Sequence, residues 1–185
     1  MKRENPAVTE AQVQRRWAAM DFNKDGSVSR KEFVQAEDFA AIDTDSSGTI
    51  TIDELRAAMK RENPAVTEAQ VQRRWAAMDF NKDGSVSRKE FVQAEDFAAI
   101  DTDSSGTITI DELRASMKRE NPAVTEAQVQ RRWAAMDFNK DGSVSRKEFV
   151  QAEDFAAIDT DSSGTITIDE LRAAMKRENP AVTEA

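Results

Sequence analysis

Residues 21–32 read DFNKDGSVSRKE, and oxygen-bearing side chains recur through the stretch at a fixed rhythm. Asp21, Asn23 and Asp25 stand at positions 1, 3 and 5, Gly26 at 6, Val28 at 8 and Glu32 at 12. A loop of this kind turns alternate side chains toward one centre and suits a hard cation. Gly26 supplies a sharp turn that a residue with a Cβ resists. Ser27 offers its backbone carbonyl, Ser29 contributes directly or through a water, and Glu32 closes the sphere with both carboxylate oxygens. An all-oxygen set with a bidentate Glu fits Ca2+, with about seven ligands at roughly 2.3–2.6 Å. Mg2+ prefers six ligands and keeps its water, so it binds such a loop more weakly.

A second loop, DTDSSGTITIDE, occupies 43–54 and offers Asp43, Asp45, Ser47, Thr49, Thr51 and Glu54 at the same places, with Gly48 at the turn. The chain then repeats itself with a period of 58 residues. Residues 1–58 recur as 59–116 and 117–174, differing only where Ser116 replaces Ala58 and Ala174, and 175–185 open a further copy. The first kind of loop therefore returns at 79–90 (Asp79, Asn81, Asp83, Ser85, Ser87, Glu90) and at 137–148 (Asp137, Asn139, Asp141, Ser143, Ser145, Glu148). The second kind returns at 101–112 (Asp101, Asp103, Ser105, Thr107, Thr109, Glu112) and at 159–170 (Asp159, Asp161, Ser163, Thr165, Thr167, Glu170). A single acidic turn with a glycine is common, but six in register at fixed offsets point to six Ca2+ sites.

These loops resemble those of the EF-hand superfamily, calmodulin most of all. The resemblance extends to the stretch NPAVTEAQ at 63–70, which is similar to the linker between paired hands. It implies an all-α fold of helix–loop–helix units, with very short paired strands between loops and lobes linked by shared helices into an elongated array. Some bacterial relatives with short spacers prefer lanthanide ions. They carry Pro at the second loop position, where this chain has Phe22 or Thr44, so lanthanide binding is the lesser reading.

Composition narrows the chemistry. The chain has 185 residues, 33% of them charged and 39% hydrophobic, enough for one or two domains or several small lobes. Its net charge is −9, and twelve positive charges from six Ca2+ would turn that to +3. The acidity therefore reads as metal sites, not as a tail for a basic partner. There is no Cys for a disulfide or thiolate site, and no His for zinc or for neutral-pH base chemistry. No nucleophile–base pair and no phosphate-cradling glycine loop is present, so an enzyme is not expected. Arg15 and Arg16 read as a solvated face, and nucleic acid is not expected as a partner. No apolar run reaches the roughly twenty residues of a membrane span, and a cytoplasmic location is the expectation. The near-identical copies suggest an excerpt of a longer periodic protein.

The supporting elements follow from the same stretches. Residues 7–20 form an entering helix, capped by Thr9 with Gln12 three residues on, and carrying Val13, Trp17 and Met20 on one face. Only ten residues, 33–42, separate the first two loops, and they hold no Gly, Pro or Asn. One helix over 30–42 must serve both loops, at a length of roughly 20 Å. Its apolar residues lie on two sides, Phe33 and Ala36 for the preceding loop, Phe39 and Ile42 for the following one. After the second loop, Asn63-Pro64 breaks the exiting helix and Thr67 caps the next.

A straight helix holds the two loops of one repeat apart, so each must pair with a loop of the neighbouring repeat. The expected strands set Ile50 against Val86 and Ile108 against Val144. The chain then divides into a half-lobe at 1–42, paired lobes at 43–100 and 101–158, and a half-lobe at 159–185. The half-lobes should expose Trp17 and Phe33 at one end and Phe155 and Leu171 at the other. Neighbouring copies joined end to end are the expected partners, with a ring closed within one chain as the alternative. The leading functional expectation is a Ca2+-responsive structural or contractile element that changes shape or stiffness. A sensor binding an amphipathic target helix, with Met residues lining grooves, and a Ca2+ buffer are the alternatives.

Overall fold

A computed structural model gives the structure of residues 9–178, apart from 22, 23, 25 and 162. The expected ligands Asn23 and Asp25, and both chain ends, lie outside the described residues. The elements recur with the repeat. Helices α1 (Glu10–Met20), α4 (Glu68–Met78) and α7 (Glu126–Met136) lead into loops of the first kind. Each begins one residue after its threonine cap, because Thr9, Thr67 and Thr125 accept from the backbone of the Gln three residues on, while that Gln returns the bond. The helix expected from residue 7 therefore starts at Glu10.

Helices α2 (Arg30–Ile42), α5 (Arg88–Ile100) and α8 (Arg146–Ile158) run unbroken for 13 residues between two loops, as the segment without a breaker demands. Helices α3 (Ile52–Glu62), α6 (Ile110–Glu120) and α9 (Ile168–Glu178) leave loops of the second kind. Helix α3 stops at Asn63, whose extended backbone (φ −138°, ψ 100°) is what a following proline requires.

Two antiparallel strand pairs complete the fold among the described residues. β1 (Thr49–Ile50) pairs with β2 (Val86–Ser87), with Ile50 opposite Val86. β3 (Thr107–Ile108) pairs with β4 (Val144–Ser145), with Ile108 opposite Val144. Both registers are those expected from the sequence, and each joins loops from adjacent repeats.

The chain divides into two compact units, one ending at Lys89 and one starting at Glu90. In the first, Phe39, Ile50, Val71, Met78 and Val86 are fully buried. Arg88 stacks its guanidinium 4.2 Å from the Phe39 ring centre. Phe39 thus belongs with the loop it leads into. In the second unit, Phe97, Ile108, Leu113, Met136, Val144 and Phe149 form one cluster. Phe97 and Phe149 meet edge to face at 5.5 Å, and Arg146 covers the Phe97 ring at 4.3 Å. The buried Gln93 also donates from Nε2 to Asp154 Oδ1 at 2.9 Å. The sequence gives no warning of that contact between α5 and α8.

Candidate metal centres

Loops of the second kind gather their carboxylates. Asp43, Asp45 and Glu54 bring one oxygen each within 4.8 Å of the others, and so do Asp101, Asp103 and Glu112, and Asp159, Asp161 and Glu170. The backbone arranges this. Gly106 takes φ +89° with open space where a Cβ would stand, so backbone conformation and not crowding calls for glycine there. Its N–H, so turned, donates to Asp101 Oδ2 at 3.0 Å. The Ser105 N–H donates to Asp101 Oδ1 at 3.0 Å and to Asp103 Oδ1 at 2.9 Å. The Ser105 hydroxyl donates to the Thr107 carbonyl at 2.9 Å, which holds a further expected ligand in place.

Glu112 is tied to both ends of its loop. Its Oε1 accepts from the Thr102 N–H and hydroxyl at 2.9 and 3.1 Å. Its Oε2 accepts from the Thr109 N–H at 3.0 Å and hydroxyl at 2.9 Å. Thr109 in turn caps α6, so one carboxylate closes the loop and starts the helix. Thr44, Thr51 and Glu54, and Thr160, Thr167 and Glu170, repeat the arrangement. The sequence reading missed the second-position Thr44, Thr102 and Thr160. A hydroxyl ten residues before a glutamate is the signal that could have found them.

The donors offset the crowding of negative charge. The Ser47 hydroxyl and N–H lower the pKa of Asp45, and Ser105 does the same for Asp103. The Thr51 backbone bond lowers Glu54, and the Thr167 backbone and hydroxyl bring Glu170 to about 2.

Loops of the first kind are arranged differently. Asp137 and Glu148 are buried. The Asp137 Oδ2 accepts from Gly142 N–H at 3.2 Å, and Glu148 Oε2 from the Ser145 N–H at 3.0 Å and hydroxyl at 2.7 Å. The Asn139 amide donates to Asp141 Oδ2 at 3.0 Å, while Ser143 N–H and hydroxyl both bond Asp141 Oδ1 at 2.9 Å. In 79–90, Asn81 and Ser85 bond Asp83 in the same way, and Ser87 and Glu90 stand at their loop places beside β2 and α5. Phe80 and Phe138 fill the second position, and their N–H groups bond the Met78 and Met136 carbonyls instead. In 21–32, Asp21 accepts from Gly26 N–H at 3.2 Å and Glu32 from Ser29 N–H at 2.8 Å, with Ser27 between them.

Here the oxygens themselves indicate a cation. Asp21 Oδ1, Glu32 Oε1, Asp79 Oδ1 and Glu148 Oε1 are buried without a hydrogen-bond donor. Burying a carboxylate oxygen with no donor is costly, and a divalent ion at the loop centre removes that cost. Asp21 and Asp79 at the first loop position, and Glu32 and Glu148 at the twelfth, therefore fit an oxygen-bound cation. No described helix is long and apolar enough to cross a membrane.

Comparison with known proteins agrees with this geometry. A family model of the EF-hand domain pair matches residues 36–94 and 95–152, and a single EF-hand model matches 152–176. Each paired match takes in one of the two strand pairs. Calcium-dependent protein kinase 9 of Arabidopsis thaliana is 35% identical over 60% of this chain and 23% of its own length. Calcium-dependent protein kinase 33 of the same plant is 31% identical over 77% of this chain and 26% of its own. The chain thus spans about a quarter of the length of these relatives. A solved homolog of programmed cell death 6 protein from Leishmania major Friedlin covers 77% of this chain and 92% of that one, at 23% identity and a TM-score of 0.29.

Proposed function

This chain belongs to the EF-hand family of calcium-binding proteins, and from that premise we propose that it takes up six Ca2+ ions and serves as a Ca2+-responsive structural or contractile element. The observation that carries the reading is the register of the strands. Ile50 lies opposite Val86 and Ile108 opposite Val144, so each lobe is assembled from two successive repeats. An ion bound in one loop is felt through the strands by a loop of the next copy. The bound ion supplies charge neutralisation and a fixed coordination sphere. The chain's own residues transmit its arrival: Glu54, Glu112 and Glu170 each touch the loop's start and the first turn of a helix. The reading includes no catalytic step, since the carboxylates are engaged in loops and helix caps.

Calorimetric titration should give six equivalents of Ca2+ per chain, and small-angle scattering should show a changed radius of gyration on binding. An unchanged radius at full occupancy removes the structural role while leaving a Ca2+ buffer. A second reading, a sensor for an amphipathic helix, is favoured by the likeness to calcium-dependent protein kinases. Ca2+-dependent binding of an amphipathic helical peptide to the isolated chain would select it.

A further inference from the structure

We infer that the two terminal hands are the two halves of one lobe, and that they dock a second copy of this chain head to tail with Ile166 opposite Val28 and Thr165 opposite Ser29. The template is inside the molecule. Loop 159–170 has the same sequence as 43–54 and 101–112, and loop 21–32 the same as 79–90 and 137–148. Inside the chain, these two kinds of loop lie strand to strand. At the ends, the same side chains lack that cover. Phe33 is 46% exposed where its copies Phe91 and Phe149 are 2% exposed. Phe155 is 40% exposed where Phe39 and Phe97 are at 0%, and Ile166 is 37% exposed where Ile50 and Ile108 are at 0%. Val13, fully buried in its copies Val71 and Val129, lies open in a shallow groove with Trp17 on α1.

The polar contacts specify the occupant as well. Arg88 stacks on Phe39 and Arg146 on Phe97. Advancing that pairing by one repeat sets Arg30 of one chain over Phe155 of the next. Arg56 binds Glu68 through Nε and Nη2 at 3.0 and 2.8 Å, and Arg114 binds Glu126 likewise. Among the described residues, Arg172 pairs with Asp169. The apolar surface left at the C-terminal hand thus matches the one left at the N-terminal hand, with Arg30 supplying the cation over the Phe155 ring. The contact is heterologous, so it propagates into filaments unless its rotation closes a ring. Inside the chain a short linker keeps the mating loops together, whereas two free chains must meet, so docking depends on concentration.

The chain has no Cys, which makes cross-linking a clean test. A Val28→Cys chain is mixed with an Ile166→Cys chain in saturating Ca2+ under mild oxidation. Opposed residues of an antiparallel pair stand about 4.5–5.5 Å apart at Cβ, close enough for a disulfide after small adjustment. The expected result is a disulfide between the two different chains, alongside a sedimentation mass that rises with protein concentration. The doubly substituted Ile50→Cys/Val86→Cys chain should cross-link within itself, which shows that the geometry admits the bond. Phe33→Ala should weaken association by roughly tenfold, the scale of a buried aromatic anchor. Arg30→Gln should weaken it by roughly two- to fivefold, the scale of a partly exposed cation–π contact. With the Ile50→Cys/Val86→Cys bond formed, a chain that stays monomeric at millimolar concentration overturns the inference. So does a chain carrying both Val28→Cys and Ile166→Cys that closes only on itself at high dilution. Both outcomes leave Ca2+ stoichiometry untouched, so failure here is distinct from failure of the proposed function.

Discussion

The repeat places identical side chains in different surroundings, and their energetics should differ accordingly. Phe97 is fully buried against Phe149 and Arg146, whereas its copy Phe155 is largely open. Phe97→Ala should cost about 3–5 kcal/mol, as for other buried aromatics, and thermal unfolding should show a clear fall in Tm. Phe155→Ala in the dilute, monomeric chain should cost under about 1 kcal/mol. Equal losses would mean that the terminal hand is covered in solution even at low concentration. Among the candidate ligands, Glu112→Gln removes a charge that takes four hydrogen bonds and stands with Asp101 and Asp103 in the carboxylate cluster. Charged hydrogen bonds contribute about 1.5–3 kcal/mol, so affinity at that one site should fall by at least roughly tenfold, read as a separate weak phase in calorimetry. The gathering of Asp101, Asp103 and Glu112 was legible in the sequence because the spacing of the loop is rigid. The Arg88–Phe39 stack was not, because an arginine beside a lysine at a helix start reads as solvated until the facing ring is placed.

At the scale of elements, the two kinds of loop should not fill together. Residues 101–112 hold four carboxylates and no cation, whereas 137–148 hold three carboxylates and three cationic residues. The first also presents its oxygens already gathered. Loops of the second kind should bind first, and their affinity should fall more steeply with added salt, since screening acts on the larger net charge. A series of titrations at rising ionic strength checks this. The helix hairpins offer a pH test. Glu68 and Glu126 are held at about 2 by the Arg56 and Arg114 guanidinium groups across the linker. A depressed carboxylate pKa stabilises the fold above the unfolded value of about 4.3 and loses that contribution as pH falls toward about 2. Acid unfolding of a Glu68→Gln/Glu126→Gln chain should therefore be shallower than that of the parent between those limits. The course of the helices was readable: ten residues without a breaker cannot reverse, and each Thr–Gln or Thr–Glu spacing marks a cap. The start of α1 was read too early because apolar residues continue on the N-terminal side of Thr9, the cap that begins the helix. The Gln93–Asp154 contact was unreadable because it depends on how two distant helices meet.

For the whole molecule, charge is the simplest observable. Six Ca2+ would carry a net charge of −9 to +3, so electrophoretic mobility should change direction near saturation. Mobility that stays anodic would mean that fewer than five ions bind at once. The largest consequence comes from the second loop position, where Thr44, Thr102 and Thr160 alternate along the chain with Phe80 and Phe138. Where threonine stands, both oxygens of the closing glutamate are gripped, and swivelling to present just one of them would sacrifice hydrogen bonds. Where phenylalanine stands, Glu148 has one oxygen without such a tether. Narrow and lenient gauges of ionic radius therefore alternate from one end to the other. Given a mixture of ions, the molecule should sort them by size, the smaller ones collecting in every other seat.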